Sequence, residues 1–103
     1  KRPEMGRIAS READIAIFTS DNPRTEDPER ILDQVVAGAE AGRQTLRISD
    51  RAQAIRTAVM LSKAGDIILI AGKGHEDYQI IGTEKIHFDD REQVRAAFKE
   101  LGK

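Results

Sequence analysis

Two loops of this 103-residue sequence carry charged residues in patterns that could bind a small ligand. The first, TSDNPRTEDPE at 19–29, follows the apolar run IAIF and holds Arg24 among acidic residues. Asn22 before Pro23 is a turn signature, because proline restricts the preceding residue to extended conformations and asparagine can hydrogen-bond within the turn. A guanidinium presents a planar fork of donors that matches a carboxylate or a phosphate. Arg24 could therefore bind an anionic ligand, or it could tie the loop by pairing with the acids beside it. Those acids are Asp21, Glu26 and Asp27.

The second loop is AGKGHEDYQ at 71–79. Gly72 and Gly74 could let backbone N–H groups approach an anion, and Lys73 would add positive charge. The spacing matches neither the Walker A pattern nor the dinucleotide-binding glycine pattern. Glu76 suits a cationic group better than a phosphate. The loop could thus be a weak phosphate cradle, a site for a cation, or a turn between a strand and a hairpin.

Other chemistry is weakly represented. His75 and His87 are isolated and the sequence has no cysteine, so no spacing typical of a metal site occurs. No Ser-His-Asp arrangement can be assigned either. We therefore assign no catalytic residue and no metal ligand to this chain. The basic residues of the predicted helices are interpreted as solvent-exposed; they include Arg51, Arg56, Arg95 and Lys99.

The elements that must position these loops follow from apolar periodicity. Helices are expected over 5–13, from an Asp27 N-cap and Pro28 to Gly42, over 50–65, and after an Asp89 and Glu92 capping box. Strands are expected at IAIFTS (15–20), TLRIS (45–49) and DIILIAG (66–72), with a hairpin in YQIIGTEKIHF around Gly82 and Thr83. The run at 66–72 is apolar on both faces, which is typical of a central strand in a parallel sheet.

Alternating strands and helices predict an α/β fold of three layers, with an open, mostly parallel Rossmann-like sheet flanked by helices and a C-terminal hairpin. In such sheets ligands bind where the carboxyl ends of the strands meet. Both loops follow predicted strands at that edge. We therefore expect them to face each other across one site.

The composition excludes several classes of partner. The formal net charge is -1, from 17 basic and 18 acidic residues that are interspersed along the chain. This balance argues against a nucleic-acid surface or an anionic membrane as partner. No apolar run approaches the length of a membrane span, and no signal-peptide pattern occurs at the N-terminus. We expect a cytoplasmic, monomeric protein.

Three segments, TSDNPRTEDP at 19–28, AGKGHEDYQ at 71–79 and FDDRE at 88–92, together resemble the C-terminal domain of the Mur ligases in order and spacing. In that family the motif Asp-Asn-Pro-Arg, here Asp21 to Arg24, marks members that add meso-diaminopimelate rather than lysine. The resemblance implies a ligase of peptidoglycan biosynthesis that uses ATP and Mg²⁺ to phosphorylate the carboxylate of UDP-MurNAc-L-Ala-D-Glu, after which the incoming amine attacks the acyl phosphate. By family position the residues that would hold diaminopimelate are Asn22, Arg24, Gly72 and Glu76, with Asp21 supporting the loop.

The departures from the family pattern concern missing parts. The family's Gly-Lys-Thr loop for ATP, its carbamylated lysine and its UDP-sugar domain have no counterpart in this sequence, and the chain begins on a helix with no strand before it. We therefore expect residues 1–103 to be one domain of a longer ligase, without its first strand and without the domains that bind most of ATP and Mg²⁺, and to be inactive alone. Two alternatives remain open: a lysine-adding or folylpolyglutamate-type ligase domain, and a stand-alone Rossmann-like module that binds a nucleotide or a protein partner through the 72–76 loop.

Overall fold

A computed structural model describes residues 1–73 and 75–103. In those ranges the elements are α1 (Arg2–Glu12), β1 (Ile15–Phe18), α2 (Pro28–Ala37), β2 (Gln44–Arg47), α3 (Arg51–Leu61), β3 (Tyr78–Ile81), β4 (Glu84–His87) and α4 (Asp90–Glu100). The first two strands are parallel, with Ile15 opposite Gln44. The last two form an antiparallel hairpin, with Tyr78 opposite His87. The predicted α/β class and the C-terminal hairpin are confirmed.

The helices pack in two pairs. One pair is α1 with α2 and the other is α3 with α4, and β1 contacts α1, α2 and α3. The core around β1 consists of Ala16, Phe18 and Leu32. Partly buried apolar residues from α2 and from the segments that follow α1 and α2 pack against it: Ala13, Val35, Val36 and Ala39. Leu32 is 1% exposed, so the apolar stripe predicted for α2 does face the sheet. Helices of both pairs therefore contact β1. The open, mostly parallel sheet that the sequence predicted is represented in the described residues by β1 and β2 alone, since β3 and β4 form a separate two-stranded sheet.

Two glycines set the distance between α1 and α2. A Cβ atom at Gly6 would lie 1.9 Å from the carbonyl oxygen of Val35, and one at Gly38 would lie 1.7 Å from that of Pro3. Neither distance is compatible with a side chain. α2 ends at Ala37 with Gly38 as its C-cap, four residues before the predicted cap at Gly42, and this close contact with α1 lies at that end of the helix.

Helix starts follow the sequence signals closely. Asp27 accepts a hydrogen bond from the backbone N–H of Glu29 at 3.0 Å, and Asp89 accepts from that of Arg91 at 2.8 Å. The reciprocal half of the predicted capping box is replaced, since the Glu92 carboxylate contacts His87 Nε2 at 2.8 Å. The end of α3 at Leu61 also precedes the predicted glycine. There Lys103 Nζ donates to three carbonyl groups at the end of the helix, those of Val59, Met60 and Ser62.

The prediction of a strand at 66–72 is wrong for the described chain. Residues 66–71 form no ladder with another described strand, and the side chains of Ile67 and Leu69 are 93% and 87% exposed. The physical reason is that strand formation is not local, because the backbone N–H and C=O groups need a neighbouring strand as partner. An apolar run indicates a segment suited to a covered sheet without specifying what lies beside it.

Within 1–73 and 75–103, none of the helices combines the length and the apolar character needed to cross a bilayer.

Candidate functional site

The loop after β1 is hydrogen-bonded to the C-terminal hairpin. The Gln79 side chain donates to the backbone carbonyl of Asp21 at 2.8 Å, and the Asn22 side-chain oxygen accepts from the backbone N–H of Ile80 at the same distance. Asn22 therefore holds the turn through β3 rather than through its own loop. These bonds fix the path of the chain on both sides of Pro23, which is buried.

Arg24 has an unusual backbone conformation. Its φ of +56° lies in the left-handed region that favours glycine, and it is the one non-glycine residue of the described chain found there. Its backbone N–H donates to the carbonyl of Ile80 at 3.0 Å, and its own carbonyl accepts from the N–H of Gly82 at 2.5 Å. A left-handed L-residue costs about 1–2 kcal/mol, so these two bonds must hold a strained residue in place.

The acids around Arg24 are engaged elsewhere. Asp21 pairs with Lys73 at 2.8 Å, and Glu26 pairs with Arg2 at 2.8 Å. Asp27 caps α2. Among residues 1–73 and 75–103, the Arg24 guanidinium forms no hydrogen bond or ion pair, and the residue is exposed. The alternative in which Arg24 merely ties its own loop is therefore wrong.

Glu76 lies beside the same loop and is held at both of its oxygens. Oε1 accepts from the Asn22 side-chain amide at 3.2 Å, and Oε2 accepts from the Tyr78 hydroxyl at 3.3 Å. The negative charge of Glu76 raises the pKa of Tyr78, loss of solvent contact adds to the rise, and the positive charge of Arg24 opposes it. The carboxylate, the phenol and the guanidinium thus form one cluster with a negative and a positive pole.

Glycine is needed where the second loop meets the first. Gly72 has a φ of +114°, and a Cβ atom there would lie 3.5 Å from Oδ2 of Asp21. The structure therefore brings Asp21, Asn22, Arg24, Gly72 and Glu76 together, the five residues that the resemblance implies. Of the two glycines predicted to let the backbone approach an anion, only Gly72 can be placed, because Gly74 lies outside the described residues.

Lys73 does not face the site as a free cation. Its side chain is fully buried, and Nζ donates to Asp21 Oδ1 at 2.8 Å and to the Tyr78 carbonyl at 2.6 Å. The ammonium also lies 5.8 Å from the centre of the Phe88 ring. This placement argues against a phosphate site in the loop, because the buried ammonium of Lys73 is not available to a phosphate.

Arg51 is a second residue that sequence reasoning misplaced, because it was interpreted as solvent-exposed. Its side chain is 3% exposed and forms a bidentate pair with Asp90, at 2.8 Å from Nε and 2.7 Å from Nη2. It also donates to the carbonyls of Ser20 and Ala71 at 3.1 and 3.2 Å. Ser20 and Ala71 lie at the start of the two site loops, so Arg51 connects the loops to each other. A signal was available, since Arg51 is the first residue of a helix that starts at the ligand-binding edge of the sheet.

Metal ligands are not clustered in the described part of the chain, where no group of three or more His, Cys, Asp or Glu residues could hold an ion. The histidine at 87 is instead paired with Glu92, whose hydrogen bond and negative charge raise the pKa of His87.

Comparisons of this chain with known proteins find relatives that all belong to one group of ligases. The family described as Mur ligase, glutamate ligase domain matches residues 1–74. Enzymes named UDP-N-acetylmuramoyl-L-alanyl-D-glutamate--2,6-diaminopimelate ligase are 63% identical over 103 residues in Trichormus variabilis, 62% over 103 in Nostoc sp. and 64% over 97 in Synechocystis sp.. The matches cover 100%, 100% and 94% of this chain but 21%, 21% and 19% of those enzymes, so the chain spans about a fifth of their length.

A solved structure of a ligase with the same name superimposes on the whole chain with a TM-score of 0.93 and 44% sequence identity, and the match covers 21% of that structure. The fold, the loops and the sequence likeness agree along the chain. This chain belongs to the Mur ligase, glutamate ligase domain family.

Proposed function

We propose that this domain binds the incoming amino acid in an ATP-dependent ligase that adds meso-diaminopimelate to UDP-MurNAc-L-Ala-D-Glu during peptidoglycan biosynthesis. The observation that carries the proposal is the exposed guanidinium of Arg24, which has no protein partner in the described chain although acids surround it. The names of the relatives support the choice of substrate.

The charges of the cluster suit one end of diaminopimelate, which carries two carboxylates and two ammonium groups. Arg24 pairs with the distal carboxylate through two parallel hydrogen bonds, and Glu76 accepts from the neighbouring ammonium. Asn22 orients Glu76, which it contacts at 3.2 Å. Gly72 leaves room for the ligand to approach the backbone, and Asp21 supports the loop through Lys73.

Lysine differs from diaminopimelate by the absence of the distal carboxylate. With lysine bound, Arg24 would lose water without gaining a partner, and an unsatisfied charged group costs about 1–3 kcal/mol or more. A site built to bind a polar group can reject an analogue without it by about 10⁴-fold. The backbone of Arg24 is held by its bonds to Ile80 and Gly82, which fix the point from which the guanidinium extends.

The described residues do not fit ATP or Mg²⁺. Lys73 is buried against Asp21, and no cluster of metal ligands occurs in 1–73 and 75–103. In this proposal both are bound mainly by other domains of a longer cytoplasmic, monomeric ligase that lie outside this chain. ATP supplies the activation of the D-glutamate carboxylate there. This domain binds and orients the amine that attacks it, and it is inactive alone.

The test compares amine substrates in the full-length ligase that carries this domain. Arg24→Ala is expected to lower kcat/KM for meso-diaminopimelate by about 10³-fold or more while changing the value for L-lysine little, so the selectivity ratio collapses. Arg30→Ala, which removes an exposed arginine from α2, is the matched control and should leave both values unchanged. Equal losses for both amines in Arg24→Ala, or no loss, would overturn the proposal.

A further inference from the structure

Lys73 is the one buried lysine of the described chain, and it lies beneath both loops of the site. Its side chain is 0% exposed, whereas that of its partner Asp21 is 36% exposed. We infer that Lys73 is a positioning residue that sets the separation between Arg24 and Glu76, and so how well the site recognises the carboxylate and the ammonium at the distal end of the amino acid. The inference rests on the proposed function and concerns a residue that touches no substrate.

Lys73 holds each pole of the site by a different group. Its ammonium donates to Asp21, three residues before Arg24, at 2.8 Å. Its backbone carbonyl accepts from the N–H of Glu76 at 3.0 Å and closes the turn that carries this carboxylate. One residue therefore links the cationic pole through its side chain and the anionic pole through its backbone.

A third contact ties this link to the hairpin. The ammonium donates to the carbonyl of Tyr78 at 2.6 Å, and the Tyr78 hydroxyl in turn donates to Glu76. The centre of the Phe88 ring lies 5.8 Å from the same ammonium. Both hydrogen-bond acceptors of the ammonium, Asp21 and Tyr78, thus belong to segments that carry or orient a site residue.

Energetics favour a geometric role over a stabilising one. Burying an ammonium is costly unless it is paired and hydrogen-bonded, and a buried ion pair adds little net stability compared with a well-packed apolar pair. What such a pair supplies is a defined arrangement of the two charged groups. At a site that must hold two charged groups of a substrate at once, a displacement of about 1 Å can lower the rate by about 10²-fold.

The test uses the full-length ligase and two amines that differ only at the distal carbon, meso-diaminopimelate and LL-diaminopimelate, in which the distal carboxylate and ammonium have the opposite configuration. Lys73→Met keeps the length of the side chain and removes both hydrogen bonds of the ammonium. We expect KM for meso-diaminopimelate to rise about tenfold or more with a smaller change in kcat, and the preference over the LL isomer to fall by a similar factor. A purely structural role would lower activity with both amines equally.

Asp21→Asn is the second variant, because asparagine still offers Lys73 an oxygen and leaves no buried carboxylate unpaired. It should weaken the preference for meso-diaminopimelate over the LL isomer in the same direction but less, and the double variant should behave like Lys73→Met alone. Additive effects of the two changes, or an unchanged preference between the isomers in a folded Lys73→Met or in Asp21→Asn, would overturn the inference. Failure of the proposed function is distinguishable, because the unmodified ligase would then show no use of diaminopimelate.

Discussion

The left-handed backbone of Arg24 makes a prediction about stability that opposes its role in binding. An L-residue pays about 1–2 kcal/mol for this conformation, whereas glycine adopts it freely but loses about 0.5–1 kcal/mol more than alanine through its greater freedom when unfolded. At φ +56° the difference favours glycine. We expect Arg24→Gly to be more stable than Arg24→Ala by about 0.5–1 kcal/mol, although both lose the guanidinium.

The assay is thermal or urea unfolding of the 103-residue chain. For a domain of this size the expected difference is a Tm about 2–4 °C higher for Arg24→Gly. The matched control is the same pair of substitutions at Arg95, which is exposed in the middle of α4. There the order should reverse, because glycine within a helix is about 1 kcal/mol less favourable than alanine.

The reversal between the two positions is the decisive result. If Arg24→Gly were no more stable than Arg24→Ala while the Arg95 pair behaved as expected, the strained conformation would be refuted. The argument that the hairpin holds this arginine in place for binding would then lose its basis.

Three further predictions concern the fold. Gly38→Ala should destabilise the domain by about 1–3 kcal/mol or more in urea unfolding, because its Cβ would meet the Pro3 carbonyl; an unchanged midpoint would contradict the helix contact. Amide hydrogens of residues 67–71 should exchange with solvent much faster than those of β1 in NMR, since they have no described ladder partner, and equal protection would show that the segment is paired. The hydrogen bond from Arg91 lowers the pKa of Asp89 to about 2, so this carboxylate stabilises the fold above its ordinary pKa and the contribution is lost as pH falls from about 4 towards 2. The free energy of unfolding of Asp89→Asn should therefore depend less on pH across that window than that of the unmodified chain. An unaltered pH dependence would exclude Asp89 as its source.

Local features of the fold could be predicted from the sequence because their causes are local. The caps at Asp27 and Asp89 act within three residues, and the hairpin turn needs only Gly82 and its flanking strands. Helix ends were less predictable. α2 is capped by Gly38, which lies against Pro3, a residue 35 positions earlier in the sequence.

The parts that sequence reasoning missed depend on partners far along the chain. Lys73 and Arg51 look like surface cations until Asp21 and Asp90 are placed beside them. The strand expected at 66–72 required a neighbour that a sequence pattern does not specify. The left-handed conformation of Arg24 likewise comes from bonds to β3 and its turn, although the Asn-Pro signature correctly predicted a turn there.

The site residues could be named from a resemblance, whereas their physical arrangement required the structure. The sequence left Arg24 with two possible roles, and the placement of the neighbouring acids removed one of them. Glu76 was expected to bind a cation, and its two protein donors now define how it is oriented. Their binding to diaminopimelate stays a prediction.

The most direct measurement is an NMR titration of the isotope-labelled chain with meso-diaminopimelate, L-lysine and ATP in separate experiments, repeated on Arg24→Ala and on the control Arg30→Ala. The account predicts shifts in residues 19–27 and 72–78 with diaminopimelate alone, which vanish in Arg24→Ala and persist in Arg30→Ala. Shifts of equal size with lysine, shifts with ATP only, or a diaminopimelate response that survives Arg24→Ala would contradict it.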